Sequence, residues 1–174
     1  PKINEHISGI NGFASSHPNQ LDENIQGNLE IMHDLQNELG EITGLPAVSL
    51  APLAGAQGEY AGLLIAREYH LQNKQENRNI ALIPDSAHGT NPASASMAGL
   101  EAVTIKTTKE GDIDLEDLKA NVNENVSVLM LTLPSTLGLF EPNILEITKI
   151  IHDNGGLVYA DGANLNALLG ITKF

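Results

Sequence analysis

The residues of this 174-residue chain that could do chemistry sit in a few short stretches, and three of these each follow an apolar run. They are Asp85-Ser86-Ala87-His88-Gly89-Thr90-Asn91-Pro92, Pro134-Ser135-Thr136-Leu137-Gly138 and Asp161-Gly162-Ala163-Asn164. In G-L-V-Y-A-D-G-A-N-L-N-A (156–167) the run ends on Asp161, and a carboxylate taken out of water needs a cation or hydrogen-bond donors. Asp161 reads either as a cap or brace for the Gly162 turn, or as the partner of a protonated nitrogen on a bound ligand. In the second role a shift of about two pKa units corresponds to about 2.7 kcal/mol, enough to keep a weakly basic ring nitrogen protonated. His88 has small neighbours that leave its imidazole accessible. It reads either as a loop histidine bonded to backbone or as an acid–base or ring-stacking group. The six histidines (6, 17, 33, 70, 88 and 152) form no pair at helical metal-ligand spacing, and no carboxylate completes a motif, so no metal site is expected.

A fourth stretch, Ala54-Gly55-Ala56-Gln57-Gly58-Glu59, leads into an expected helix. Small residues at a helix start let backbone N–H groups approach an anion, and the helix dipole adds to the attraction. The pattern matches neither the phosphate-binding G-x-x-x-x-G-K-[ST] loop nor the dinucleotide G-x-G-x-x-G turn. A phosphate site and tight helix packing both account for it. The acidic clusters Glu110–Asp117 and Asp22-Glu23 read as solvated faces and helix-start charges.

These stretches must be held by an alternating set of elements. Residues 1–20 show no clear period and are punctuated by Gly9, Gly12 and Pro18, so an extended N-terminal arm is expected, with a domain over 21–174. Ile25, Leu29, Met32, Leu35, Leu39 and Ile42 recur at helical spacing, with Asp22 as the expected N-cap and Gly44-Pro46 as the stop. Gln57–Leu71 predicts a second helix, apolar on several sides. Asn79–Pro84, Ala102–Lys106, Ser127–Leu133 and Leu157–Ala160 predict buried strands, with helices over Asp114–Asn125 and Pro142–Asn154. Strand and helix in alternation predict an α/β domain with a mostly parallel sheet and flanking helices. In such a sheet the three polar stretches would converge at the carboxyl ends of the strands, where ligands bind.

Bulk properties narrow the function classes. The chain is 41% hydrophobic and 18% charged, which describes a folded domain rather than a disordered one. A formal charge of −13 argues against binding nucleic acid or anionic membranes. No apolar run approaches the length of a membrane span. Cysteine is absent, which removes disulfides and thiolate chemistry and fits a reducing cytoplasm. The chain opens on Pro1 and closes on Lys173-Phe174 directly after the apolar run Ala167–Ile171, so a fragment of a longer protein is expected.

Together, A-G-A-Q-G-E-Y-A-G-L-L, P-D-S-A-H-G-T-N-P-A-S-A-S-M-A-G, P-S-T-L-G-L-F-E and D-G-A-N-L-N-A-L-L-G resemble the P-proteins of the glycine cleavage system, the pyridoxal-phosphate-dependent glycine decarboxylases. F-A-S-S-H-P near residue 13 and E-I-T-G at 41–44 fit in the same order, and T-L-G-L-F-E resembles the second subunit of the bacterial two-subunit form. The resemblance implies part of the large domain of a fold-type I, aminotransferase-like pyridoxal-phosphate enzyme. It implies that Asp161 binds the pyridine nitrogen, that His88 stacks on the ring and that Ala163 covers the other ring face. Gly55, Ala56 and Gln57 would supply phosphate-binding backbone groups, and Ser135 and Thr136 would lie near the phenolic oxygen or the substrate. It further implies glycine as substrate, the lipoylated H-protein as acceptor of the aminomethyl group, a partner P-protein subunit or a second copy, and a bacterial cytoplasmic location.

The family's Schiff-base lysine lies further along, in an H-L-N-L-H-K segment that this chain does not contain. Lys173 is twelve positions after Asp161 and outside any such motif, so it is not expected to substitute, and the isolated chain is expected to be inactive. Two other readings remain. One is a different fold-type I enzyme, such as an amino-acid decarboxylase or carbon–sulfur lyase. The other is a lysine-free domain that binds a partner or completes a heterodimer.

Overall fold

A computed structural model describes residues 2–17 and 19–174. They form two compact units, Pro1–Ala51 with Thr172–Phe174, and Pro52–Ile171. The division falls after Ala51 rather than at the expected boundary after residue 20.

In the first unit the expected extended arm instead opens on a helix, α1 (Lys2–Ser8). Ile3 and Ile7 stand one turn apart with no glycine or proline between them, which suffices for a short helix but is too little to register as a period. The long helix α2 (Gln26–Thr43) ends where expected. Gly44 adopts φ +81°, and its N–H donates to the Gly40 carbonyl at 2.9 Å. Asp22 is not its N-cap. It heads a separate 3-10 turn, Asp22–Asn24, and its carbonyl accepts from Ile25 N–H (3.1 Å) and Gln26 Nε2 (2.9 Å). Pro18, expected within the arm, lies outside the described residues.

The second unit is a four-stranded parallel sheet of β1 (Ile80–Pro84), β2 (Glu101–Ile105), β3 (Val126–Thr132) and β4 (Leu157–Asp161), in the order β2-β1-β3-β4. Four helices cover it: α3 (Gly55–Gln72), α4 (Thr90–Met97), α5 (Leu115–Asn121) and α6 (Ile144–Asp153). Alternate residues of the strands feed two cores. On one face Ala81, Ile83, Val128 and Met130 pack with Leu63 and Ala66 of α3 and Ala95 of α4. On the other, Leu82, Leu129 and Leu131 pack with Leu118 of α5 and Ile147 and Ile151 of α6. Every residue of β3 is buried, which is why this central strand reads as a near-continuous apolar run, broken only by Ser127 before its polar end at Thr132.

The four expected strands and the flanking helices are present, with ends shifted by a few residues, but the two edge strands are not buried as expected: β2 is mostly exposed and β4 half-buried, because each has a neighbouring strand on one side only. Helix α5 begins on Asp114, whose carboxylate accepts from Glu116 and Asp117 N–H at 3.0 and 3.1 Å. It stops at Asn121 because the chain turns at Asn123 to enter β3. Helix α4 has no signature in the sequence. T-N-P-A-S-A-S-M carries no apolar period, and its proline sits in the first turn, where a missing N–H costs no helix bond.

From β1 the chain passes to β2 on one side, then crosses to β3 on the other. The direction of winding therefore reverses between β1 and β3, the position at which open α/β sheets leave a crevice.

Candidate functional site

Beyond the carboxyl ends of β3 and β4, against the first turn of α3, lies a cavity of about 630 Å³. Asp161, His88, Ala163, Thr136, Gly55 and Ala56 all line it. Parallel strands thus bring residues from four distant stretches to one rim.

Asp161 closes β4 opposite Thr132 of β3 and is only 8% exposed. Its Oδ1 accepts from the Ala163 backbone N–H at 3.0 Å. Its Oδ2 has Thr132 Oγ1 at 3.5 Å, the outer limit of a hydrogen bond. Among the described residues no Lys, Arg or His forms an ion pair with it. The turn brace read from the sequence is therefore present, yet it satisfies one oxygen only. A buried carboxylate with spare acceptor capacity on a cavity wall is suited to a cationic ligand atom.

At another wall, α3 presents its N-terminus. Gly55 and Ala56 are at its first turn, where backbone N–H groups have no helical acceptor. Nothing lies within 4 Å of a Cβ built on Gly55 or Gly58, so this face of the turn is open. Donors and dipole there suit an anion. Gln57 stands apart. It does not line the cavity, its N–H donates to the Ala54 carbonyl at 3.0 Å, and its Oε1 accepts from Leu53 N–H at 2.6 Å. It closes the helix start.

The exit loops are tied together. Thr136 Oγ1 donates to the Ser86 carbonyl, joining the loop after β3 to that after β1. Asn164 Nδ2 donates to the carbonyls of Pro134 and Ser135, both at 3.1 Å, joining the loops after β3 and β4. Ser135 is off the cavity. Its hydroxyl accepts from Leu137 and Leu139 N–H at 3.3 Å and lines a separate small pocket with Gly111 and Glu141.

Sequence reasoning did not single out Glu59, Thr90, Thr132, Tyr159 or Asn164, all of which line the cavity. Glu59 carried a readable signal, a lone acid amid small and apolar residues of a helix expected to be buried. It is 8% exposed and accepts from Thr90 Oγ1 (2.8 Å) and Ser94 Oγ (3.2 Å). Tyr159 fits against Gly62 of α3, where a Cβ would meet its ring at 2.6 Å. Burial first, then the charges of Asp161 and Glu59, push the Tyr159 phenol up to about 12.

Residues 57–167 match the model of the aminotransferase class-V family. The chain belongs to that family. Two relatives named "Probable glycine dehydrogenase (decarboxylating) subunit 2" are close to it. That of Staphylococcus haemolyticus is 57% identical and that of Staphylococcus epidermidis 56%, each over 169 residues covering 97% of this chain. The chain spans 34% of the length of either. A crystal structure of glycine decarboxylase (P-protein) of the glycine cleavage system superposes with a TM-score of 0.77 at 21% identity, covering 92% of this chain and 35% of that one. The fold is that of the fold-type I pyridoxal-phosphate enzymes, as the motifs implied, and the resemblance to the second P-protein subunit is borne out by the relatives.

Proposed function

We propose that this chain forms the cofactor-facing wall of a pyridoxal-phosphate-dependent glycine decarboxylase, the second subunit of a P-protein of the glycine cleavage system. One observation carries the reading: Asp161 is a buried carboxylate with no ion-pair partner among the described residues, on the same cavity as the open N-terminus of α3. Carboxylate at one wall and anion site at another match a ligand with a basic ring nitrogen and a phosphate.

In this reading Asp161 holds a proton at the ring nitrogen, while Ala163 N–H and Thr132 keep its carboxylate aimed. Backbone N–H groups of Gly55 and Ala56 bind the phosphate. His88 and Ala163 bracket the ring, and Thr136 flanks it from the loop after β3. The cofactor, when bound, supplies the electron sink for the charge left as glycine loses carbon dioxide. The aminomethyl group then passes to the lipoyl arm of an H-protein, with a partner P-protein subunit completing the enzyme.

The test uses the enzyme as its gene encodes it, with its partner subunit. Asp161→Asn should weaken pyridoxal-phosphate binding, followed by absorbance, by about a hundredfold, the equivalent of two pKa units. The unaltered enzyme with lipoylated H-protein should exchange labelled carbon dioxide into the carboxyl group of glycine. Unchanged cofactor affinity in the variant, or no exchange, overturns the reading.

A further inference from the structure

His88 has one ring nitrogen committed. Nδ1 is 2.8 Å from Thr90 Oγ1, and that same hydroxyl is 2.8 Å from Glu59 Oε1. The other Glu59 oxygen accepts from Ser94 Oγ at 3.2 Å, and the carboxylate is buried. A hydroxyl has one proton to give, and an ionised carboxylate can only accept. The Thr90 proton therefore goes to Glu59, and the lone pair left towards His88 calls for a donor at Nδ1. A competing contact, from the Thr90 backbone N–H to Nδ1, would need Nδ1 as acceptor, but it is longer at 3.3 Å. It would also leave the Nδ1 lone pair facing a lone pair of Thr90 Oγ1 at 2.8 Å, because the hydroxyl proton is already given to Glu59.

We propose that Glu59 and Thr90 are positioning residues that lock His88 as the Nδ1–H tautomer and leave Nε2 as the free base of the ring. Among the described residues Nε2 has no hydrogen-bond partner, so none of them competes for it. His88 then accepts a proton or hydrogen bond from a ligand rather than donating one, and the protonated amino group of an incoming amino acid is the class of donor that fits. This last consequence rests on the cofactor-site reading above; the tautomer rests on the hydrogen bonds alone.

The test is nitrogen NMR of histidine-labelled, cofactor-free enzyme, with the His88 signals assigned by their loss in His88→Gln. The unaltered protein should show Nδ1 protonated and Nε2 unprotonated. Thr90→Val breaks the link, and Glu59→Met frees the Thr90 hydroxyl to donate to Nδ1. In both, the proton should move to Nε2, while Thr90→Ser should retain the native tautomer. An Nε2–H form in the unaltered protein overturns the proposal, as does an Nδ1–H form that persists in both Thr90→Val and Glu59→Met. Because no cofactor is present, failure of the enzyme to bind pyridoxal phosphate would refute the proposed function and leave this result standing.

Discussion

Asp161 is costly to the unliganded fold. Its carboxylate is 8% exposed, and only the Ala163 N–H meets it at a good distance. Asparagine in its place keeps an acceptor for Ala163 and removes the charge. Asp161→Asn should therefore raise the stability of the cofactor-free protein by about 1 kcal/mol, the usual exchange of function for stability at a ligand site. Urea unfolding without cofactor measures it, and a loss of stability would show the charge to be structurally required. Tyr159 reports on the same field. Its phenol is raised to about 12 in the fold, against about 10 in an unfolded chain. Below pH 10 both states hold the proton and no stability is lost. Between about pH 10 and 12 the unfolded chain ionises while the folded one does not, so stability falls across that window and then levels. Urea midpoints of the unaltered protein and Tyr159→Phe should diverge only above pH 10. Asp161→Asn should narrow the difference, because it removes one of the two charges that raise the phenol.

At the scale of elements, the site depends on how closely α3 lies on β4. Gly62 permits that approach, since a Cβ there would stand 2.6 Å from the Tyr159 ring. Gly62→Ala should destabilise the fold by about 1–3 kcal/mol through overpacking. Tyr159→Ala should remove most of that penalty in a double-mutant cycle, and additive effects would place the strain elsewhere. What was legible in the sequence follows the same physics. Elements with a strong apolar pattern could be read: β3 because burial on both faces leaves an apolar run, and α2 because its apolar residues recur at helical spacing, although none of them is buried. Helix α4 could not, because its small residues pack closely without a period. Asp161 and His88 were legible because each sits where an apolar run gives way to small residues. Thr90 and Thr132 were not, because their part depends on which strand ends and helix starts become neighbours; Glu59 is marked as a lone acid in an apolar helix, but its partners Thr90 and Ser94 are not. Thr132 reaches Asp161 only through the parallel register of β3 and β4. The resemblance implies cofactor-site roles for Gln57 and Ser135, but both bond to local backbone and neither lines the cavity.

At the scale of the whole molecule, two opposing effects bear on these 174 residues studied alone. Among the described residues no further strand pairs with β2 or β4, so both edges of the parallel sheet offer unpaired N–H and C=O groups. Large apolar side chains are also left in water, with Leu145 84% and Ile171 79% exposed. Both features favour association of copies. A net charge of −13 opposes it, since like-charged copies repel over about 10 Å at 0.1 M salt and over much less at 1 M. Self-association should therefore strengthen as salt is added, the reverse of an assembly held by ion pairs. Sedimentation velocity of the 174-residue chain across salt concentrations reads this directly. Thr104→Lys on the β2 edge and Ala160→Lys on the β4 edge, both at exposed positions, should each weaken whichever contact uses that edge. If association falls as salt rises, or neither lysine affects it, the open edges are not what brings copies together.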